Sequence, residues 1–223
     1  MAAREYGQFD GIATAVELIG ERWALLIVRD LLVGPRRYSD LKLGLPKIPT
    51  NVLSARLKEL QSSGIIERIP LHHGLAYRLT SFGQQLEDVV LSLGRWGFQA
   101  LGEPKPGEII TPDSMAMTFR TAFQPAIARL LPATTYDAQI TDFGLRLQVY
   151  SDQLEVEPFE SVSKRQSEFD SPYVSFVTDT DIHKLIAGEL SATNALSSRS
   201  IKILSGDQSL LQRFAQTFHL EAA

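Results

Sequence analysis

The sequence predicts two domains of different class: a mainly α-helical domain, then an α+β domain with an antiparallel sheet and helices packed on it. Three observations predict this. Up to residue 101, apolar residues recur at helical spacing, interrupted once by a pair of short extended runs. The stretch LGEPKPGEIITPDS then holds three prolines and two glycines with no helical period, which marks a linker over 102–112. Beyond it, alternating apolar and polar residues return in several short runs. The domains are therefore read as 1–101 and 113–223. A chain of 223 residues is long enough for both, and 44% apolar residues suffice for two cores.

Ile12, Val16 and Ile19 share one face of a first helix, and Trp23, Leu26, Ile27 and Leu31 one face of a second. Gly34-Pro35 closes the second, since glycine accepts the left-handed turn and proline cannot continue a helix. Ser39 is placed to cap a short helix, SDLKLGL, with Leu41 and Leu45 inward. Pro46 and Pro49 bracket the next turn, Thr50 is placed to cap the following helix, and Gly64 to end it. IIERIPL and LAYRLT, separated by HHG, read as a hairpin. Ser81 followed by Gln84 reads as a capping box opening a helix to about Leu101. That helix carries Leu86, Val89, Val90, Leu93, Trp96 and Leu101 over more than one stripe, so a second face should be covered. Helices, a hairpin wing and a closing helix in this order describe a winged helix-turn-helix.

The helix from Thr50 to Ser63 carries the chemistry. With Leu53 as reference and ~100° per residue, Leu57 and Leu60 fall within about 40° of it and form a buried seam. Asn51, Ser54, Ala55, Lys58 and Ser62 lie on the opposite side. Small hydrogen-bonding residues near a helix N-terminus are what base-edge readout in a major groove needs. A solvated surface helix is the plain alternative, and the neighbouring segments decide between them. Arg36 and Arg37 precede the short helix, where phosphate contacts would set docking register. Tyr38 is either a phosphate donor or a packing anchor, and Ser39 stands beside it. Lys47 sits in the turn before the polar helix, and His72 and His73 at the hairpin tip, where a wing approaches the duplex. Arg56 lies about 60° from the leucine seam, which suits an ion pair within the domain. Trp23 reads as core, as does Trp96 unless its helix pairs with another chain.

The formal charge of −4 is unevenly spread: residues 1–101 hold 12 Lys/Arg against 10 Asp/Glu, the remainder 10 against 16. An anionic partner should meet the first half. The absence of cysteine excludes disulfides, thiol switches and thiolate metal sites. The four histidines are too scattered for a preformed metal cluster, so neither metal nor cofactor is expected. No apolar run approaches the ~20 residues of a membrane span. The N-terminus lacks the pattern of a secretory signal, and a cytoplasmic location is the default. No glycine-rich phosphate loop, nucleophile elbow or HExxH motif occurs, so no catalytic residue is assigned. Glu155, Glu157 and Glu160 read as a solvated strand edge.

With these elements placed, the blocks AVELIGERWALLIVRDLLVGPRRYSDLKLGLPKIPTNVLSARLKELQSSGIIERI, YRLTSFGQQL and LGRWG resemble the HxlR family of bacterial transcriptional regulators. The resemblance covers about residues 6–101. It implies a homodimeric winged-helix DNA-binding protein, with the helix 50–63 as recognition helix and the hairpin 65–80 as wing. It implies dimerisation through the first and last helices, with Phe9, Ile12, Leu93 and Trp96 as interface candidates. Several family members carry a sensing cysteine ahead of the first helix; here that place holds Asp10, so a thiol switch does not transfer.

In the second half, DSMAMTFRTAFQ reads as a helix capped by Asp113, with Met115, Phe119 and Phe123 on one face and Pro125 at its end. LRLQVY, LEVEP and YVSFVT read as strands, followed by a helix at about 180–190, a strand RSIKIL and a helix 208–218. The order of the last fifty or so residues resembles the sterol-carrier-protein-like fold. That resemblance implies an apolar tunnel for a small hydrophobic effector, with Phe119, Phe123, Phe143 and Phe176 as lining. Plain core is the favoured reading of the same residues. The leading functional expectation is a dimeric, sequence-specific DNA-binding repressor whose partners are double-stranded DNA and a second copy of the chain. The rival is a lipid carrier whose helical domain serves dimerisation.

Overall fold

The first free amides of a helix need acceptors, and Asp10 supplies them for α1 (Gly11–Ile19): its Oδ1 accepts from Ile12 N at 2.8 Å and Ala13 N at 2.9 Å. Asp10 is thus a helix cap. The structure, a computed structural model, describes residues 5–71, 74–159 and 171–220. The chain divides into two compact units after Leu91.

In the first unit α1 leads to α2 (Ala24–Val33), α3 (Tyr38–Gly44) and α4 (Thr50–Ser62). Two strands, β1 (Ile66–Leu71) and β2 (Gly74–Leu79), pair antiparallel from Ile66↔Leu79 to Leu71↔Gly74. Ile27, Val28, Leu31, Leu41, Leu45, Ile48, Leu53, Leu57, Leu60, Ile65, Ile66 and Ala76 are buried and make one core. Trp23, expected in that core, is only half-buried; it precedes α2 with φ of 83°.

Several caps fall one or more residues from their expected places. The α3 cap is Arg37, whose backbone N–H donates to Asp40 Oδ2 at 2.9 Å, so Ser39 lies inside the first turn. Thr50 is the first residue of α4 and gives it no side-chain cap. The long helix expected from Ser81 to Leu101 is two helices, α5 (Ser81–Gln84) and α6 (Glu87–Phe98). Thr80 rather than Ser81 caps the first, its hydroxyl accepting from Gly83 N at 3.1 Å. The division between the units lies inside α6, ahead of the 102–112 segment.

The second unit continues with α7 (Pro112–Ala122), α8 (Pro125–Ala128), β3 (Thr134–Ile140), β4 (Phe143–Tyr150), β5 (Gln153–Phe159), β6 (Tyr173–Thr178), α9 (Asp181–Ile186), α10 (Ala192–Ser197), β7 (Lys202–Gly206) and α11 (Leu210–Thr217). Thr111, not Asp113, caps α7 by accepting from Ser114 N. Pro125 opens α8 instead of merely ending α7.

The sheet order is β5-β4-β3-β6-β7. An antiparallel sheet was expected, and this is a correction: β3 and β6 run parallel, Thr135↔Tyr173 through Ile140↔Thr178, while the other pairs are antiparallel. The physical reason is the central strand β3, which the sequence reading passed over. With β3, β4 and β5 as a meander, β5 already runs in the sense of β3. The chain re-enters on the free side of β3 at the end where β3 begins, so β6 runs in that sense too, as a crossover connection allows. The β3 sequence, TTYDAQI, hides its character because both faces are buried, so Thr135 and Asp137 are enclosed along with Tyr136 and Ala138. Asp137 is tolerated there because Arg146 on β4 meets it with two hydrogen bonds of 2.7 Å and Tyr173 adds a third at 3.1 Å.

On the other face of the sheet, Tyr136 and Phe176 pack with Phe119, Phe214 and Phe218. Among the described residues, no helix is long and apolar enough to cross a membrane.

Candidate nucleic-acid interface

The seam of α4 is sequestered, with Leu53, Leu57 and Leu60 at 0%, 2% and 2% exposure. Burying each leucine contributes about 1.5–3 kcal/mol, which holds the helix by one face. Thr50, Asn51, Ser54, Lys58 and Ser62 are exposed on its outer side. The helix ends on paired turn bonds: Ile65 N donates to Leu60 O at 3.0 Å and Gly64 N to Gln61 O at 3.1 Å. Gly64 takes φ of 71°, which this ending requires.

The turn into α4 is held from α3. Lys42 Nζ donates to Ile48 O at 2.7 Å and Pro46 O at 3.2 Å, and Ile48 is buried beneath. Lys47 in the same turn points outward and is exposed. Tyr38 makes a second tie: its hydroxyl donates to Thr50 O at 3.0 Å and lies 3.3 Å from Ser54 Oγ. These contacts make Tyr38 an anchor between α3 and α4, one of the two roles open to it.

Arg36 belongs to the wing as much as to the approach to α3. Its N–H donates to Tyr77 O at 3.0 Å, and Tyr77 N–H returns a bond to Arg36 O at 2.8 Å. Three consecutive residues therefore bind to three elements. Arg36 holds β2, Arg37 starts α3, and Tyr38 holds α4. Both arginine side chains are half-buried, and Ser39 is exposed.

The wing adds cations of its own. Arg78 pairs with Glu67 across the hairpin at 2.8 Å, which offsets its charge. Arg68 is exposed, and its guanidinium stands over the Tyr77 ring at 5.7 Å. Sequence reasoning passed over Arg68 as a candidate contact, although its polar place between Ile66 and Ile69 in the strand was a usable signal. His72 and His73 lie outside the described residues. Arg56 makes the expected ion pairs, to Glu21 at 3.4 Å and to Glu59.

The dimer candidates are exposed in the single chain. Phe9 and Ile12 stand at the start of the first unit, and Leu93 and Trp96 on α6. Trp96 is 73% exposed, so it is not core within one chain.

The proposed tunnel residues are distributed otherwise. Phe119 and Phe176 are fully buried, with ring centres 5.9 and 5.4 Å from that of Phe214. Phe123 is half-buried against Phe218 at 5.9 Å, and Phe143 is half-buried at the start of β4. Phe214 and Phe218, which close this cluster, had been read only as part of a last helix.

Comparison with known proteins gives a family match, to the HxlR-like helix-turn-helix, over residues 18–105. The HTH-type transcriptional regulator Rv3095 of Mycobacterium tuberculosis is 39% identical over 105 residues, 44% of this chain and 65% of its own length. This chain thus spans just under two thirds of that relative. The HTH-type transcriptional regulator YvaP of Bacillus subtilis is 35% identical over 85 residues, 37% of this chain and 79% of its own. Among solved structures, quinone-bound YodB from B. subtilis has 34% sequence identity and a TM-score of 0.36, with 40% of this chain and 96% of that chain covered.

Proposed function

The chain belongs to the HxlR-like helix-turn-helix family, and from that premise we propose that it is a dimeric, sequence-specific DNA-binding transcriptional regulator acting as a repressor. The observation that carries this reading is the outer row of α4. Asn51, Ser54 and Lys58 stand exposed over a buried leucine seam, and Tyr38 ties this helix to the Arg36–Arg37 segment, whose Arg36 also binds the wing. A duplex needs both kinds of group, cations for phosphate and short polar side chains for base edges. In this reading α4 enters the major groove, Lys47, Lys58 and the two arginines meet phosphates, and Arg68 extends the contact along the wing. Tyr38 positions α4 rather than touching DNA. The exposed Phe9, Ile12, Leu93 and Trp96 support dimerisation, since large apolar side chains left in water mark association surfaces.

The packing of Phe119 and Phe176 does not favour the carrier reading. Their rings fill the core of the second unit against Phe214.

The test is retardation of a pseudo-palindromic promoter fragment across a salt series. The protein should bind that fragment over random DNA, with affinity falling steeply as salt rises. Replacing Arg36 and Arg37 by alanine should weaken binding to all sequences and lower the salt slope by about 2, one per lost phosphate contact. Affinity that ignores salt, or equal binding to random DNA, overturns the proposal.

A further inference from the structure

The back of the recognition helix carries a charge that its DNA-facing side does not explain. Arg56 is enclosed, with 13% of its side chain exposed. It pairs with Glu59 one turn along α4, and its Nη2 lies 3.4 Å from Glu21 Oε2. Its buried Nε has no hydrogen-bond partner among the described residues. Pairs with carboxylates this open to water, 35% exposed for Glu21 and 42% for Glu59, add little net stability. What the pair supplies is direction: the planar guanidinium meets a carboxylate in few geometries.

Glu21 sits in a stiff place. It lies in the four-residue joint Gly20–Trp23 between α1 and α2. A Cβ on Gly20 would fall 2.4 Å from Val16 O, so only glycine lets the chain turn so tightly against the end of α1. Trp23 holds φ of 83°, and the Arg22 guanidinium covers its indole at 5.4 Å. A backbone held this way by a non-glycine residue has little freedom. The backbone of Glu21 is therefore held against the end of α1, and its carboxylate reaches Arg56 on α4.

We propose that the Glu21–Arg56 ion pair is the positioning contact that ties the orientation of the recognition helix to the α1 arm, and so sets the half-site spacing the dimer accepts. This rests on the proposed reading of the chain as a dimeric DNA-binding protein. In a dimer built through α1, any rotation of α4 relative to α1 is doubled between the two recognition helices. A rigid link there converts dimer geometry into a single accepted separation, near one helical turn of ~34 Å.

The experiment uses the full chain and a set of duplexes in which two selected half-sites are moved apart or together by single base pairs. Single half-site duplexes serve as the control. Wild-type protein should prefer one spacing sharply. Glu21→Gln should remain folded and keep its single half-site affinity, while its preference for the best spacing over its neighbours falls roughly tenfold. Arg56→Lys, which keeps the charge but loses the fork, should fall between the two. A folded Glu21→Gln with the wild-type spacing profile overturns the proposal. So does a loss of half-site affinity that accounts for the whole effect, because the pair would then merely stabilise α4. Wild-type protein that selects no DNA at all counts against the function reading instead, which keeps the two failures apart.

Discussion

The hydroxyl of Tyr38 donates to the carbonyl oxygen of Thr50 at 3.0 Å, joining the residue that opens α3 to the residue that opens α4. Ser54 Oγ donates to the same carbonyl at 3.0 Å. The first turn of α4 is therefore held by an acceptor shared between its own side chain and a neighbouring helix.

Replacing Tyr38 by phenylalanine tests this relationship with little change in ring packing. The site is partly open to water, so the lost hydrogen bond should cost about 0.5–1 kcal/mol in urea unfolding. Retardation assays should show weaker binding and reduced discrimination at the base pairs that Asn51 and Ser54 face. Unchanged discrimination alongside a normal loss of stability would show that the tie has no part in readout.

Gly64 offers a backbone test. A Cβ added there meets nothing within 4 Å, so any cost of Gly64→Ala arises from holding alanine at φ of 71°. That cost is about 1–2 kcal/mol. Gly64→Asn should cost less, because asparagine tolerates the left-handed region. Chemical denaturation of both variants checks the order. Equal stability of alanine and glycine would mean that the end of α4 relaxes out of this conformation.

The second unit should respond to acid through His183. Burial pushes the imidazole pKa below its ordinary value, with the backbone oxygen of Thr180 partly opposing. The ring stacks on Phe98 with centroids 6.3 Å apart. A base with a depressed folded pKa takes up its proton more readily when unfolded. Its contribution to stability is thus present above the unfolded value of about 6.5 and is lost as pH falls through the folded one. Carboxylates titrate lower, near pH 4, so the slope that begins below about pH 6.5 tests the histidine. His183→Phe should keep the stack and flatten that part of the stability curve. A curve that keeps its slope would assign it to another group.

Much of the first unit was legible from residue order because its signals are local. The leucine seam of α4, the glycine that ends it and the hairpin from Ile66 to Leu79 each depend on neighbours a few positions away. Caps were less legible. Thr80 and Thr111 were passed over for Ser81 and Asp113 because a cap depends on which side chain turns back onto the helix. Several short polar residues in a row all look suitable.

By itself, then, the sequence determined within the first unit which face of α4 is buried, where the helices give way to the hairpin, and which helix displays short polar groups. Tertiary structure alone decided which elements pair and how each polar group is used. Asp137 marks β3 as a strand only once Arg146 lies beside it, and the parallel match of β3 with β6 exists only after the chain has crossed the sheet. The physical reason is that periodicity records how each segment meets apolar surroundings, whereas pairing follows from hydrogen bonds between segments far apart in the chain. Tyr38 shows the same limit within the candidate site. Its hydroxyl could serve a phosphate or a carbonyl, and only the folded chain shows that it donates to the carbonyl of Thr50.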